Sequence, residues 1–310
     1  MSDALNAVRN FYPSLARGDV PAALAGLAPG TSTKIYRDLD RAALDAAYNN
    51  AEAVGQRQQV RAGEWKARSD ALYKNIPVKR DLRYGESPRQ RIDFFPSGRP
   101  AAPTLLFIHG GYWQMNDKES FGFVAEGLLS RGINFATVEY TLAPAIRMDG
   151  IVAEIRQAVA FMVRHLGELG AAPDGIYVAG HSAGGHLTAM VMQEPGIRGG
   201  IAISGLFDLE PIRLCYLNDK LQMDEAEARR DSPVFHLPSQ APPLVMAVGA
   251  DELSELRRQS MEYHHAWTEA GLKARFSLLA GHEHFSILEE LASPTGELTA
   301  SLADLMAGRI

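Results

Sequence analysis

The sequence predicts an α/β fold, a mostly parallel sheet of about eight strands with helices on both faces. Three observations carry that prediction. From Val78 onward, strand-like and helix-like segments alternate. Several strand candidates, Thr104–His109 and Leu244–Val248 among them, are continuous apolar runs, as strands buried on both faces require. One such run, Gly175–Ala179, leads directly into Gly180-His181-Ser182-Ala183-Gly184, a G-x-S-x-G turn from strand to helix.

Taken in chain order, residues 1–75 read as an Ala-rich helical extension or cap, broken at Pro13, Pro21 and Pro29-Gly30. The catalytic-type domain then spans 76–310. Its strand candidates are Lys79–Tyr84, Arg91–Phe95, Thr104–His109, Phe135–Tyr140, Gly175–Ala179, Gly200–Ser204, Leu244–Val248 and Arg275–Leu279. The short turn Gly85-Glu86-Ser87-Pro88 makes the first two an antiparallel edge hairpin. Helix candidates are Glu119–Arg131, Gly150–Leu169, Gly184–Gln193, Ser254–Ala270 and Phe285–Met306. Residues 208–238 interrupt the alternation with charged helical sequence and read as a lid-like insertion beside the pocket. About eight strands with the serine turn after the fifth is the order of the α/β-hydrolase fold.

Composition narrows the classes of function. The chain has 310 residues, 46% hydrophobic and 22% charged, with a net charge of −6 and no basic block, which argues against nucleic acid and anionic membranes as partners. No stretch approaches the roughly 20 apolar residues of a membrane span, and the N-terminus lacks a signal-peptide pattern. The single cysteine, Cys215, excludes an internal disulfide and fits a reducing compartment. The expected location is cytoplasmic.

The chemistry follows from what each motif permits. A serine on a sharp strand-to-helix turn projects its hydroxyl where a base can reach it, so Ser182 is the candidate nucleophile. Acyl transfer creates a negative oxygen that needs fixed N–H donors, and glycines let the backbone approach it. His109-Gly110-Gly111-Tyr112-Trp113 follows its own strand, so the candidate donors are the amides of Gly110, Gly111 and Ala183. The base is expected in the loop after the last strand, where both His282 and His284 qualify; the other seven histidines lie in the wrong places, and most read as surface or helix residues. The acid is expected after the preceding strand, where Asp251 and Glu252 are adjacent and periodicity does not choose. Tyr112 and Trp113, next to the glycine loop, are the candidate substrate-binding side chains, with Phe207 a further one. His282 and His284 with Glu283 lack a third ligand motif, so no metal and no cofactor are expected.

These motifs resemble the arylformamidase (kynurenine formamidase) branch of the α/β-hydrolases, close to the hormone-sensitive-lipase-like carboxylesterases. The resemblance covers roughly residues 33–308. It rests on His109-Gly110-Gly111-Tyr112-Trp113-Gln114, the string Gly180 to Leu187, Ser204-Gly205-Leu206-Phe207-Asp208-Leu209-Glu210-Pro211-Ile212, Glu255 to Ser260, and His284-Phe285. It implies an acid three residues before Glu255, at Glu252, where animal members usually carry aspartate. It implies the histidine that precedes phenylalanine, His284. Residues 1–30 fall outside it; Val8 to Val20 is similar to the opening helices of the ketosteroid-isomerase/nuclear-transport-factor-like fold, without room for that fold's sheet. They read as helices packing on the pocket or on a second subunit.

The expected function is therefore a serine hydrolase acting on a small carboxylic ester or an N-formyl arylamide. The alternative is a non-catalytic small-molecule-binding protein on the same scaffold, which would usually have lost the serine or histidine. A metal-dependent formamidase would need a ligand string that the chain lacks. The expected partner is a small-molecule ester or formamide, and a homodimer is left open.

Overall fold

The computed structural model describes residues 33–310, so the helices expected over 1–30 lie outside the described residues. Among the described residues, eight strands form one sheet in the order β1-β2-β4-β3-β5-β6-β7-β8. They are β1 Lys79–Arg83, β2 Arg91–Phe95, β3 Thr104–Ile108, β4 Asn134–Val138, β5 Ile176–His181, β6 Ile197–Ile203, β7 Leu244–Gly249 and β8 Ala274–Leu279. β1 and β2 pair antiparallel, as do β2 and β4, and the rest of the sheet is parallel.

Every residue of β3, β4, β5 and β7 is buried. Alternate side chains feed two separate cores, because successive Cβ atoms point to opposite faces of a strand. Leu106, Ile108, Val178 and Met246 join one core, whereas Leu105, Phe107, Ala179 and Val245 join the other. The first is covered by the helix Met148–His165, whose Ile151, Val152, Ile155, Ala158, Val159 and Met162 form a stripe at helical spacing. The second is covered partly by the helix Glu297–Met306 through Leu298, Leu302 and Leu305. Burying each large aliphatic side chain contributes about 1.5–3 kcal/mol.

Two expected helices differ in detail. Glu119–Arg131 divides into a 3₁₀ segment, Glu119–Val124, and an α-helix, Ala125–Ser130. Phe285–Met306 is broken at Ser293-Pro294-Thr295-Gly296. The residue before a proline is pushed out of the helical region, and Ser293 is extended at φ −93°, ψ 134°. At Gly296 the chain passes so close to Glu290 that an added Cβ would lie 2.1 Å from its carbonyl oxygen.

Three helices precede the sheet: α1 Arg41–Ala47, α2 Asn50–Val54 and α3 Gln56–Asn75. Asp40 caps α1 by accepting from the Ala43 amide. α3 stacks Trp65 on Phe123, with ring centroids 4.6 Å apart, and its Arg68 bridges Glu126 and Glu289. No helix among the described residues is long and apolar enough to cross a membrane.

The strand order places β3 between β4 and β5, so the chain leaves the carboxyl ends of β3 and β5 in opposite directions. Such a switch point opens a crevice at the end of a parallel sheet.

Two glycines test this packing in opposite directions. Gly63 is exposed on α3 with nothing within 4 Å of an added Cβ, so Gly63→Ala is expected to stabilise by about 0.5–1 kcal/mol. An added Cβ at Gly184 would lie 1.9 Å from the Ile108 carbonyl oxygen, so Gly184→Ala is expected to cost about 1–3 kcal/mol or more. Urea unfolding of both variants checks the pair, and equal midpoints would contradict it.

Candidate active site

Ser182 sits between β5 and the helix Ala183–Val191 with φ 57° and ψ −118°, a left-handed conformation that few side chains adopt. The turn is possible because Gly180 and Gly184, two residues away on either side, lack side chains. A Cβ on Gly180 would lie 2.1 Å from the Gly184 carbonyl oxygen, so strand and helix touch there. The Ser182 amide is held by the Ile203 carbonyl at 2.8 Å, and the hydroxyl faces a cavity at the switch point.

The loop after β8 brings His284 to this serine. Its Nε2 lies 3.1 Å from Ser182 Oγ, and its Nδ1 lies 2.7 Å from Glu252 Oε2. The Glu252 side chain is fully buried. Its second oxygen, Oε1, accepts from Ser204 Oγ at 2.5 Å and from the Gly249 amide at 2.7 Å. A carboxylate so occupied accepts at Oε2 as well, which puts the imidazole proton on Nδ1 and leaves the Nε2 lone pair toward the serine. Asp251 is exposed, and its side chain has no partner among the described residues. His282 Nε2 lies 3.1 Å from Glu290. The geometry thus brings Ser182, His284 and Glu252 together and leaves Asp251 and His282 outside.

The glycine loop after β3 presents a second pattern. The carbonyls of its first three residues are held. His109 O accepts from Tyr140 Oη at 3.0 Å, and Gly110 O accepts from His109 Nδ1 at 2.8 Å and Asn116 Nδ2 at 3.0 Å. Gly111 O accepts from the amides of Gln114 and Met115 at 3.0 and 3.2 Å. The amides of Gly110, Gly111 and Ala183 have no acceptor among the described residues. Glycine is required at both loop positions. A Cβ on Gly110 would lie 3.0 Å from that of Ser182, and Gly111 has φ 120° with Met115 O 2.5 Å from its Cβ position. Tyr112 and Trp113 follow with φ 49° and 58°, two consecutive left-handed residues of the kind that cluster at functional sites.

This double turn corrects one expectation. Trp113 does not line the cavity: its indole is fully buried in the core, edge-on to His186 with ring centroids 5.0 Å apart. The left-handed backbone turns it inward. Phe207 is likewise a core residue, stacked on Tyr263. Tyr112 does line the cavity; its hydroxyl donates to Tyr48 O at 2.6 Å and accepts from Asn50 Nδ2 at 2.9 Å.

The cavity measures about 500 Å³. Ser182, His284, Gly110 and Gly111 line its floor; Asn50 and Trp65 come from α2 and α3, and Tyr216, Leu217 and Lys220 from the 208–238 segment. Two buried histidines set aside by the sequence reading also serve the site. His109 grips the glycine loop. His181 Nε2 donates to the His284 carbonyl at 2.6 Å, and burial together with the nearby His284 holds its pKa well below the usual histidine value, so it stays neutral. Their places inside the two motif strings were the available signal.

The chain is similar to known hydrolases in sequence and in fold. The family described as BD-FAE matches residues 94–196. A kynurenine formamidase of Danio rerio is 35% identical over 241 residues, covering 73% of this chain and 81% of that protein. A candidate thioesterase from Silicibacter sp. superposes with a TM-score of 0.76 at 30% identity, covering 83% of this chain and 97% of the other. An esterase of Pyrobaculum calidifontis shares the fold at 19% identity with a TM-score of 0.67, covering 83% of this chain and 95% of that one. The chain belongs to the kynurenine formamidase family and is an ester or formamide hydrolase of the α/β-hydrolase fold.

Proposed function

We propose that the chain cleaves N-formyl arylamides and small carboxylic esters through an acyl-enzyme on Ser182. The observation that carries this reading is the unbroken line of contacts from Glu252 through His284 to Ser182, which ends beside three amides without acceptors. Ser182 Oγ attacks the acyl carbon as His284 Nε2 takes its proton. The oxyanion is held by the N–H groups of Gly110, Gly111 and Ala183. Collapse breaks the bond to the leaving amine or alcohol, which receives the proton from His284. Water, deprotonated by His284, then attacks the acyl carbon, and the acid leaves as Ser182 is restored. Glu252 holds the imidazole in the required tautomer and stabilises its protonated form.

The relatives point to the substrate class, since the Danio rerio protein is a kynurenine formamidase. The aromatic lining of Trp65, Tyr112, Phe121, Tyr216 and Phe285 favours an aryl leaving group, with Tyr112 in the substrate-binding role. The 208–238 segment acts as a lid over that group. A cytoplasmic location fits the single cysteine, a buried thiol whose pKa burial pushes up to about 12.

Ser182→Ala is expected to lower kcat by about 10⁴-fold or more with an unchanged far-UV spectrum, because the members of such a triad act as a unit. Turnover within tenfold of the wild type would remove Ser182 from the reaction. Glu252→Gln should fall by about 10⁴-fold through loss of the imidazole tautomer, whereas Asp251→Asn should stay within a few-fold of the wild type. The opposite ranking would transfer the acid to Asp251. Across p-nitrophenyl acetate, butyrate and octanoate the rate should fall with chain length, and octanoate as the fastest of the three would contradict the compact pocket.

A further inference from the structure

A peptide group is planar and trans, so its C=O and N–H point in opposite directions. Whatever fixes the carbonyl of one residue therefore fixes the amide of the next. In the glycine loop the Gly110 carbonyl sets the Gly111 N–H. It has two donors: His109 Nδ1, within the motif, and Asn116 Nδ2, from the turn that follows. We propose that Asn116 is a positioning residue for the oxyanion hole, locking the Gly110–Gly111 peptide with its N–H toward the acyl oxygen. The inference rests on Ser182 being the nucleophile.

Four further observations favour this role. Asn116 has φ 80°, in the left-handed region, so the chain accepts an uncommon backbone conformation to bring this carboxamide inward. Its own carbonyl is held by Arg89 Nη2 at 2.7 Å, and Arg89 Nε donates to Tyr140 O at 2.8 Å, so the residue is anchored independently of the glycine loop. Its Oδ1 is buried without a partner among the described residues. The amide cannot be turned round to relieve that oxygen, because a carbonyl would then face the Gly110 carbonyl. The side chain leaves one polar atom unsatisfied while its N–H serves the loop, as expected where a site rather than stability decides the orientation. Added Cβ atoms show how tight the fit is: one on Gly111 would lie 2.7 Å from Asn116 Nδ2.

Oxyanion stabilisation acts on the transition state, so loosening it lowers kcat and leaves KM nearly unchanged. Asn116→Gly keeps the left-handed backbone and removes the donor. Asn116→Asp keeps the shape and places a carboxylate oxygen against the Gly110 carbonyl. Both variants and the wild type are assayed on p-nitrophenyl acetate and on its thiono analogue, whose C=S accepts hydrogen bonds poorly, with thermal unfolding alongside. A whole oxyanion donor is worth about 10²–10³ in kcat, and His109 still holds the loop, so a fall of about 10- to 100-fold is expected for both variants on the oxygen ester. KM should stay within about twofold, and the oxygen-to-sulfur rate ratio should shrink by a similar factor to kcat. Wild-type kcat in Asn116→Gly would overturn the proposal, as would an equal loss on both esters, which marks a general structural effect. If Asn116→Gly does not fold, the ratio in Asn116→Asp decides alone. A wild type without Ser182-dependent turnover would instead overturn the proposed function, and this inference with it.

Discussion

The site depends on one close approach, that of the nucleophile helix to the end of β3. Gly184 meets the Ile108 carbonyl where no side chain would fit, and Gly180 meets Gly184 in the same way. These contacts hold the two strands that flank the switch point, β3 and β5, in register through Ile108 and Gly180. The loop that leaves β3 and the turn that leaves β5 are then forced together. Gly110 packs against Ser182, and Gly110, Gly111 and Ser182 line the same cavity. The energy comes from the two cores on either face of the sheet, and part of it is stored as left-handed backbone at Gly111, Tyr112, Trp113, Asn116 and Ser182.

Around that contact, the elements outside the sheet act as braces. Tyr48 accepts the Tyr112 hydroxyl on its carbonyl, while its own hydroxyl donates to Glu255 and accepts from Gln259. The helix that immediately precedes the sheet, α3, pairs Arg61 with Glu283, the residue before His284, and ties Trp65 to Glu289 by a hydrogen bond of 2.6 Å. Glu283 in turn accepts the Ser286 amide at 2.8 Å and so shapes the turn that carries the histidine. These helices thus do two things at once: they wall the cavity and they fix both loops from above. The partly exposed pairs of Arg68 with Glu126 and Glu289 contribute little individually, about 0–1 kcal/mol, so their value lies in geometry more than in stability.

Much of this was legible in the sequence because it is chemistry at element ends. Apolar runs, glycines at tight turns, and a serine and histidine after particular strands are residue-type requirements. What escaped was set by packing over distance. Spacing alone leaves Asp251 and Glu252 with equal claims; the resemblance points to Glu252, and the reason is visible only where Ser204 and the Gly249 amide converge on it. Trp113 adjoins the glycine loop in sequence, but two successive left-handed residues turn it into the core. The apolar residues on either side of Pro294 suit one continuous helix, but the proline and Gly296 break it in two. Asn116 carries no motif at all; its part is visible only once its amide is found on the Gly110 carbonyl.

The central claim is that Ser182 is a nucleophile activated by His284 in a site already assembled. A fluorophosphonate probe tests it most directly, because such reagents phosphonylate only a serine made reactive by its base and oxyanion donors. Intact mass followed by peptide mapping should find one adduct, on Ser182, formed rapidly in the wild type and much more slowly in His284→Ala. An adduct on another residue, no adduct on the folded wild type, or equal labelling rates with and without His284 would contradict the account.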